Sequence, residues 1–288
     1  MSARGPQSPC RRSTLDVVTT DLPPSTEHGD RSQPTWMIQS IVRLAAILDL
    51  FTAERPIWTE QEIVGATGLS RGTVYRFCQT LLHVGYLDAA ADGGYRPGPR
   101  AMTLGQAAIL GMDIAELARP TLIALQAELQ ETVNMAVPDG HDIVYVIRLR
   151  GSGLLDIRLQ VGSRLPAFCT SLGRAMLAQL PDEELTGFLD TADLSPRTEA
   201  TVTDPKVLRT LIRDIRAKGY AVNDGELAHG LRGVAAAVRY PTGRPAAAIN
   251  VALTRPFRPG EPEQELGPLL RSTAERIERL LIGEDRTS

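Results

Sequence analysis

The residues best suited to specific chemistry lie between positions 70 and 84, in a stretch that predicts an amphipathic helix. Apolar side chains recur there at i, i+3, i+4 and i+7, the spacing of one buried helix face, at Val74, Phe77, Cys78 and Leu81. The opposite side carries two guanidiniums, hydroxyls and an amide, but no carboxylate, on Arg71, Thr73, Tyr75, Arg76 and Gln79. Such groups read base edges in the DNA major groove, which admits one helix. We predict that this face contacts DNA.

The neighbouring residues place this helix second in a helix-turn-helix that is followed by a wing. An upstream helix starts at the capping-box pattern Thr59-x-x-Glu62 and ends at Gly68. Ser70 can cap the second helix, whose N-terminal amides suit a phosphate. Downstream, Asp92-Gly93-Gly94 predicts a hairpin turn, and Arg96 on the returning strand would reach a phosphate of the flanking minor groove. Taken alone, the pattern also fits an ordinary helical hairpin with a solvated basic face.

The composition of the whole chain is that of a globular protein with two domains. It has 288 residues, of which 43% are hydrophobic and 23% charged. No apolar run approaches the length of a membrane span, and no secretion signal follows the first arginines, so we expect a cytoplasmic protein without membrane contact. The three isolated cysteines, Cys10, Cys78 and Cys169, fit a reducing compartment. Segment 35–100 carries six arginines and six carboxylates, and this zero balance disfavours a non-specific nucleic-acid binder.

Periodicity and composition divide the chain into four parts. Residues 1–34 predict a disordered arm, 35–98 the winged helix-turn-helix, 99–111 a linker helix and 112–284 a second domain. In the second domain, strand signals and amphipathic helices predict a mostly antiparallel sheet flanked by helices, which is an α+β fold. Pro120 is expected to start or kink a helix there, because proline lacks the amide hydrogen that a helix interior uses.

Catalysis and metal binding find little support in the sequence. No G-x-S-x-G pattern is present, and His141 and His229 lie near turn residues without an evident partner. The four histidines and three cysteines show no metal-ligand spacing. We therefore predict neither an enzyme nor a bound cofactor or metal.

The chain resembles the IclR family of bacterial transcriptional regulators over roughly residues 36–282. In the first domain the resemblance rests on segments 69–76 and 82–87, and in the second on segments 171–178, 219–236 and 247–251. It implies an N-terminal winged helix-turn-helix, a linker helix and a GAF-like effector-binding domain. It also implies dimers through the DNA-binding half, tetramers through the effector domains, and a pseudo-palindromic double-stranded operator. Segments 142–146 and 161–167 look like those of regulators of protocatechuate and hydroxybenzoate catabolism.

The resemblance also implies a pocket for a small organic acid. Family positions transfer to residues at a helix N-terminus, in a loop and on two strands, namely Ser171, Leu172, Gly173, Asn223, Gly233, Asn250 and Ala252. A small-molecule pocket usually has apolar walls, and the side chains that could form them are Leu155, Leu165 and Phe168. Asp224 is a further candidate, although it and Glu226 also fit a structural role in their loop. Gly233 departs from the serine or cysteine usual in the family, and Asn223 from a common acidic residue.

The function expected from the sequence is therefore ligand-responsive, sequence-specific control of transcription. Repression relieved by a small, aromatic organic acid is favoured over activation. The alternative is a DNA-binding regulator with no small-molecule effector.

Overall fold

The computed structural model describes residues 36–52, 55–90, 93–151 and 159–282. The N-terminal part consists of α1 (Gln39–Leu48), α2 (Glu60–Thr67), α3 (Arg71–His83), β1 (Leu87–Ala89) and β2 (Tyr95–Pro97). The two strands pair antiparallel as a hairpin. This is the predicted helix-turn-helix with its wing, packed around a small apolar core to which every element contributes.

The ends of α2 and α3 follow from local hydrogen bonds. Thr59 and Glu62 form the predicted capping box, in which the Glu62 carboxylate accepts from the Thr59 amide at 2.8 Å. Gly68 ends α2 with a φ of 66°, a left-handed conformation that glycine adopts without strain. The Ser70 hydroxyl accepts from the Thr73 amide at 3.4 Å and so caps α3. These short-range bonds fix the turn that presents α3.

Two helices lead into the C-terminal part: α4 (Pro99–Leu110) and α5 (Asp113–Leu129). A helix start at Pro120 is wrong, since α5 begins seven residues earlier and contains Pro120 in its interior. The apolar stripe of α5 continues on both sides of the proline, at Ile114, Ala115, Ala118, Leu122 and Leu125, all buried. Burial of that stripe outweighs the single backbone bond that an interior proline removes.

The C-terminal part is built on a six-stranded sheet in the order β5-β4-β3-β8-β7-β6, with antiparallel neighbours throughout. The strands are β3 (Thr132–Asp139), β4 (Asp142–Leu149), β5 (Arg164–Pro166), β6 (Ala221–Asp224), β7 (Arg232–Arg239) and β8 (Pro245–Leu253). A 3-10 turn (Ala167–Cys169) leads from β5 towards the helix that begins at Ser171. The alternation of Ile157 with Asp156 and Arg158 predicts a further strand at 155–159, which lies, except for its last residue, outside the described ranges.

Helices cover both faces of this sheet. One apolar core joins it to α5 and to α9 (Gly267–Ile282). A second joins the opposite face to α6 (Ser171–Leu177), α7 (Asp182–Thr191) and α8 (Pro205–Lys218). Asp204 caps α8, with Pro205 at its first position, as expected. The α+β architecture predicted from the sequence is confirmed.

A buried carboxylate anchors the start of α9. Glu261 precedes a π-helical turn (Pro262–Leu266), and its side chain is 1% exposed. Its carboxylate accepts hydrogen bonds from the Arg255 guanidinium at 2.8 Å and the Arg258 amide at 2.7 Å. The bond from Arg255, helped by those from Arg258, lowers the pKa of Glu261 to about 2. Stability from this depressed pKa is present above the unfolded value and is lost as the pH falls towards 2.

We expect Glu261→Gln to lower the free energy of unfolding at neutral pH by about 2 kcal/mol, because it leaves Arg255 without its buried partner. The difference from the wild type should shrink between about pH 5 and pH 2, where the wild-type carboxylate becomes protonated. Urea unfolding over this pH range measures both effects. Glu263→Gln, at an exposed carboxylate two residues away, is the control and should change the unfolding free energy by less than about 0.5 kcal/mol.

Candidate DNA-binding surface and effector pocket

The residues predicted to read DNA share the outer side of α3. Val74, Cys78 and Leu81 are buried beneath the helix. Arg71, Tyr75, Arg76 and Gln79 are exposed, Thr73 is half-buried, and Ser70 lies at the helix start. Arg96 is exposed on β2 in the wing. The fold thus presents one surface with the hydrogen-bonding groups that recognition in the major groove requires.

The arginines of this surface differ in their partners. Arg71 donates from Nε to Glu60 at 2.7 Å, and Arg96 lies 3.9 Å from Asp88. Arg76 donates to the backbone oxygen of Gly72 at 3.3 Å and, within the described ranges, has no carboxylate partner. Arg76 is therefore the arginine of α3 whose charge is not already offset.

Gln79 lies beside the wing. Burial raises the pKa of Tyr95 on β2, and the nearby Gln79 side chain opposes this effect. Gln79 is therefore close to the start of β2 as well as to the predicted DNA surface.

A pocket lies between the start of α6 and the sheet, at the ends of β6, β7 and β8. Six of the residues predicted from the sequence line it: Ser171, Leu172, Asn223, Gly233, Asn250 and Ala252. They are brought together by cross-strand pairing, since Gly233 is opposite both Asn223 and Ala252. The start of α6 then lies across these paired strand residues and completes the pocket wall.

A second cross-strand row supplies the polar part of the pocket. Arg148 on β4 is opposite Asn134 on β3, which is opposite Asn250 on β8. Their side chains form a chain of hydrogen bonds, from Arg148 to Asn134 (3.2 Å), Asn134 to Asn250 (2.8 Å) and Asn250 to Ser171 (3.4 Å). A buried network of this kind is rigid when its members are satisfied.

Arg148 is the member of this network whose hydrogen bonds are incomplete, because NH1 donates to Asn134 while Nε has no partner. Its Nε is buried without a hydrogen bond, and no carboxylate pairs with it in the described part of the chain. Burial lowers the pKa of Arg148. The other arginine of the pocket wall, Arg232, has Nε 2.7 Å from the Asp224 carboxylate, an ion pair without hydrogen-bond geometry. The pocket therefore contains one guanidinium whose charge is not compensated, which suits an anionic ligand.

The loop that forms one pocket wall is fastened by a buried ion pair. Arg174 on α6 donates to both oxygens of Glu226, with its NH2 group 2.6 Å from Oε2. Glu226 also accepts from the Val202 amide at 3.0 Å. The neighbouring Leu227 and Leu231 line the pocket. These bonds give Glu226 the structural role in its loop that the sequence analysis allows for.

The pocket has little free space. Its cavity volume is about 20 Å³, room for one water molecule. A larger cavity, about 230 Å³, lies at the other end of α6, but its wall is mainly apolar and contains none of the asparagine network. The chemistry of the smaller pocket, rather than its size, makes it the candidate effector pocket. An organic ligand there must displace wall side chains such as Leu227 or Leu231.

The sequence matches known proteins over both parts of the fold. Residues 106–279 match the bacterial transcriptional regulator IclR C-terminal domain, and residues 40–90 the IclR helix-turn-helix domain. The Pca regulon regulatory protein of Pseudomonas putida is 36% identical over 248 residues, covering 85% of this chain and 84% of that protein.

This chain belongs to the IclR family of transcriptional regulators.

Other IclR relatives support the same assignment. The transcriptional repressor IclR of Escherichia coli is 28% identical, covering 84% of this chain and 85% of the repressor. An IclR homolog of Microbacterium hydrocarbonoxydans, solved with 4-hydroxybenzoate, is 25% identical with a TM-score of 0.71; the match covers 85% of this chain and 99% of the homolog. These relatives are regulators, not enzymes, and the chain is a DNA-binding regulator of transcription. No helix in the described ranges has the length and apolar character needed to cross a membrane.

Four residues expected in the IclR effector pocket lie outside its wall. Phe168 is buried in the core beneath α6, where Leu165 also packs. Gly173 lies so close to Ala167 that a Cβ atom would be 2.2 Å from the Ala167 oxygen, so it serves helix packing. Asp224 pairs with Arg232 at an exposed position. Leu155 lies outside the described residues.

Five polar residues of the pocket wall were not predicted from the sequence: Asn134, Tyr145, Arg148, Thr170 and Arg232. The signal that identifies two of them is a polar residue within or beside an apolar strand, since Asn134 follows Val133 and Arg148 follows Ile147. Both belong to strands with at least four buried residues out of eight. A polar side chain at such a position requires a partner, or a ligand.

Proposed function

We propose that the protein is a ligand-responsive regulator whose effector is a small organic acid held in the pocket at the start of α6. The observation that carries this proposal is the unpaired guanidinium of Arg148, within reach of the buried Asn134–Asn250–Ser171 network. A carboxylate is the partner that such a group binds best. Because Asp224 offsets Arg232, the pocket charge favours a ligand with one anionic group.

An aromatic acid is the effector class that we favour. A relative of this chain is named for the Pca regulon, and another was solved with 4-hydroxybenzoate. Apolar residues such as Leu159, Leu172 and Leu227 would face the ring. Because the closed cavity holds about one water, the effector must bind a more open pose and shift the population towards it. We propose that this shift weakens operator binding, so that the effector relieves repression.

A mobility shift tests this function. Purified protein is mixed with DNA from upstream of its own gene and excess competitor DNA, and aromatic acids including protocatechuate and 4-hydroxybenzoate are titrated in. A specific shift that one acid weakens supports a repressor with an acid effector, whereas a strengthened shift supports activation. A specific shift that no acid alters would favour the alternative, a regulator without an effector. No specific shift would contradict the assignment of the upstream operator.

Residue 233 should set the space available to the effector. A Cβ atom on Gly233 would lie 2.8 Å from Ser171 Oγ and 3.3 Å from Asn250 Nδ2, so both must move. We expect Gly233→Ala to weaken effector binding about tenfold, with operator binding unchanged. Calorimetry with the acid found in the mobility shift measures this. Gly187→Ala on α7, where a Cβ has no atom within 4 Å, is the matched control and should bind the acid normally.

We further propose that the protein dimerises through α1 and α4 and binds a pseudo-palindromic operator. Large apolar side chains on and beside these helices are exposed, with Trp36 77%, Ile41 58%, Met102 74% and Leu104 59% exposed. A surface of this kind favours burial against a second copy. The effector-domain tetramer implied by the sequence stays a prediction.

Acidic residues introduced at this apolar surface should prevent dimerisation. We expect Met102→Asp combined with Leu104→Asp to halve the mass of the assembly in sedimentation. The double variant should also bind the operator more weakly, because one dimer no longer contacts both half-sites. Val207→Asp, at an exposed valine of α8, is the control and should leave the sedimentation unchanged. Unaltered association of the double variant would place the dimer interface elsewhere.

A further inference from the structure

Glu60 holds the first arginine of α3. Glu60 is the first residue of α2 and Arg71 the first of α3, and Oε1 of Glu60 lies 2.7 Å from Nε of Arg71. The Glu60 side chain is 22% exposed and the Arg71 side chain 87%. The carboxylate therefore lies against the protein while the guanidinium projects from the predicted DNA surface. Thr59 and Glu62 form the capping box, so Glu60 is not needed to cap α2.

The Glu60–Arg71 ion pair affects non-specific DNA binding and sequence-specific DNA binding differently. Non-specific affinity comes from cations that neutralise phosphates, and each contact adds about 0.9 to the salt dependence. The Glu60 carboxylate offsets the Arg71 charge and repels a phosphate that approaches the same guanidinium. The hydrogen bond to Glu60 comes from Nε of Arg71, which leaves the two terminal nitrogens of the guanidinium available for a base edge.

We propose that Glu60 is a specificity-determining residue that suppresses binding to DNA other than the operator. It acts through Arg71: it positions the guanidinium and cancels its charge, so that tight binding needs the additional contacts of the correct sequence. The neighbouring ion pairs Arg55–Glu62 and Arg96–Asp88 give other arginines of this domain the same counter-charge. This inference rests on the proposed role of α3 in contacting DNA.

The test compares the full-length wild type with Glu60→Gln, which keeps the size of the side chain and removes its charge. Fluorescence anisotropy measures the affinity for a scrambled duplex and for the upstream operator fragment over a series of salt concentrations. Glu116→Gln, at an exposed carboxylate of α5, changes the net charge by the same amount and is the control. Thermal unfolding checks that each variant is folded.

We expect Glu60→Gln to bind the scrambled duplex about three- to tenfold more tightly at low salt, with a salt slope steeper by nearly one. Affinity for the operator should rise less, so the ratio of specific to non-specific affinity falls. A residue with a merely structural role would instead lose affinity for both duplexes when changed. Unchanged or weaker binding to the scrambled duplex, or an equal gain in Glu116→Gln, would overturn the proposal.

The proposed operator and the proposed role of Glu60 are tested by different measurements. A wild type that does not prefer its upstream DNA over the scrambled duplex contradicts the proposed operator. The comparison of Glu60→Gln with the wild type on the scrambled duplex still decides the role of Glu60.

Discussion

Arg76→Ala is expected to abolish specific operator binding while the protein remains folded and still binds its effector. Arg76 is exposed on α3. Among the described residues its side chain makes a single hydrogen bond, to a backbone oxygen of the same helix, so its loss should change stability little. One bidentate contact of arginine to a base pair discriminates by about 1–3 kcal/mol, and a dimer makes the contact twice. A mobility shift against competitor DNA measures the loss.

The control for Arg76→Ala is Arg276→Ala, which removes an exposed arginine from α9. It lowers the net charge equally and should leave the operator shift intact. Thermal unfolding with and without the acid effector establishes that both variants keep the fold and the pocket, since a ligand raises the apparent stability of the state that binds it. Specific binding by Arg76→Ala at the wild-type level would show that the recognition helix is assigned wrongly.

The helix-turn-helix is the part of the fold that the sequence predicts most directly. Its turn depends on bonds that close within three residues, such as Ser70 with Thr73 and Thr59 with Glu62. The residue types and spacing that make these bonds are visible in the sequence itself. The outward position of Arg71 and Arg76 then follows from the helical period, because the apolar face formed by Val74, Cys78 and Leu81 must face the core.

The polar end of the effector pocket depends instead on strand register. Asn134 and Asn250 are 116 positions apart and meet because β3 pairs with β8. Arg148 joins them through the pairing of β3 with β4, which contains a register shift between Met135 and Ala136. A shift of one residue turns a side chain to the opposite face of the sheet. The resemblance to known regulators indicates Asn250, whereas the position of Arg148 near Asn250 follows only from the strand pairing.

Close packing similarly separates residues that a sequence motif groups together. Ser171, Leu172 and Gly173 are consecutive, but Gly173 faces the Ala167 backbone, whereas the first two line the pocket. The direction of each side chain at the start of α6 depends on how the preceding 3-10 turn packs beneath it. Pro120 is a comparable case, since burial of the α5 stripe overrides the local preference of proline.

Arg148→Met should remove the response to the acid effector and leave operator binding without effector unchanged. Methionine fills a similar length with apolar atoms, but it cannot donate to a carboxylate. A hydrogen bond to a charged group contributes about 2–3 kcal/mol, which corresponds to a 30- to 150-fold loss of effector affinity in calorimetry. Because the half-buried guanidinium has no carboxylate partner among the described residues, we expect the melting temperature of the free protein to stay the same or rise.

Two controls separate the charge of Arg148 from its size and position. Arg150→Met changes an exposed arginine two residues further along the chain and should bind the acid like the wild type. The methyl ester of the same acid keeps the ring and removes the anion, so the wild type should bind it about as weakly as Arg148→Met binds the acid. Full affinity of Arg148→Met for the acid would contradict the proposal that Arg148 binds the carboxylate of the effector. Loss of affinity in Arg232→Met instead would identify Arg232 as the residue that holds the carboxylate, with Asp224 displaced on binding.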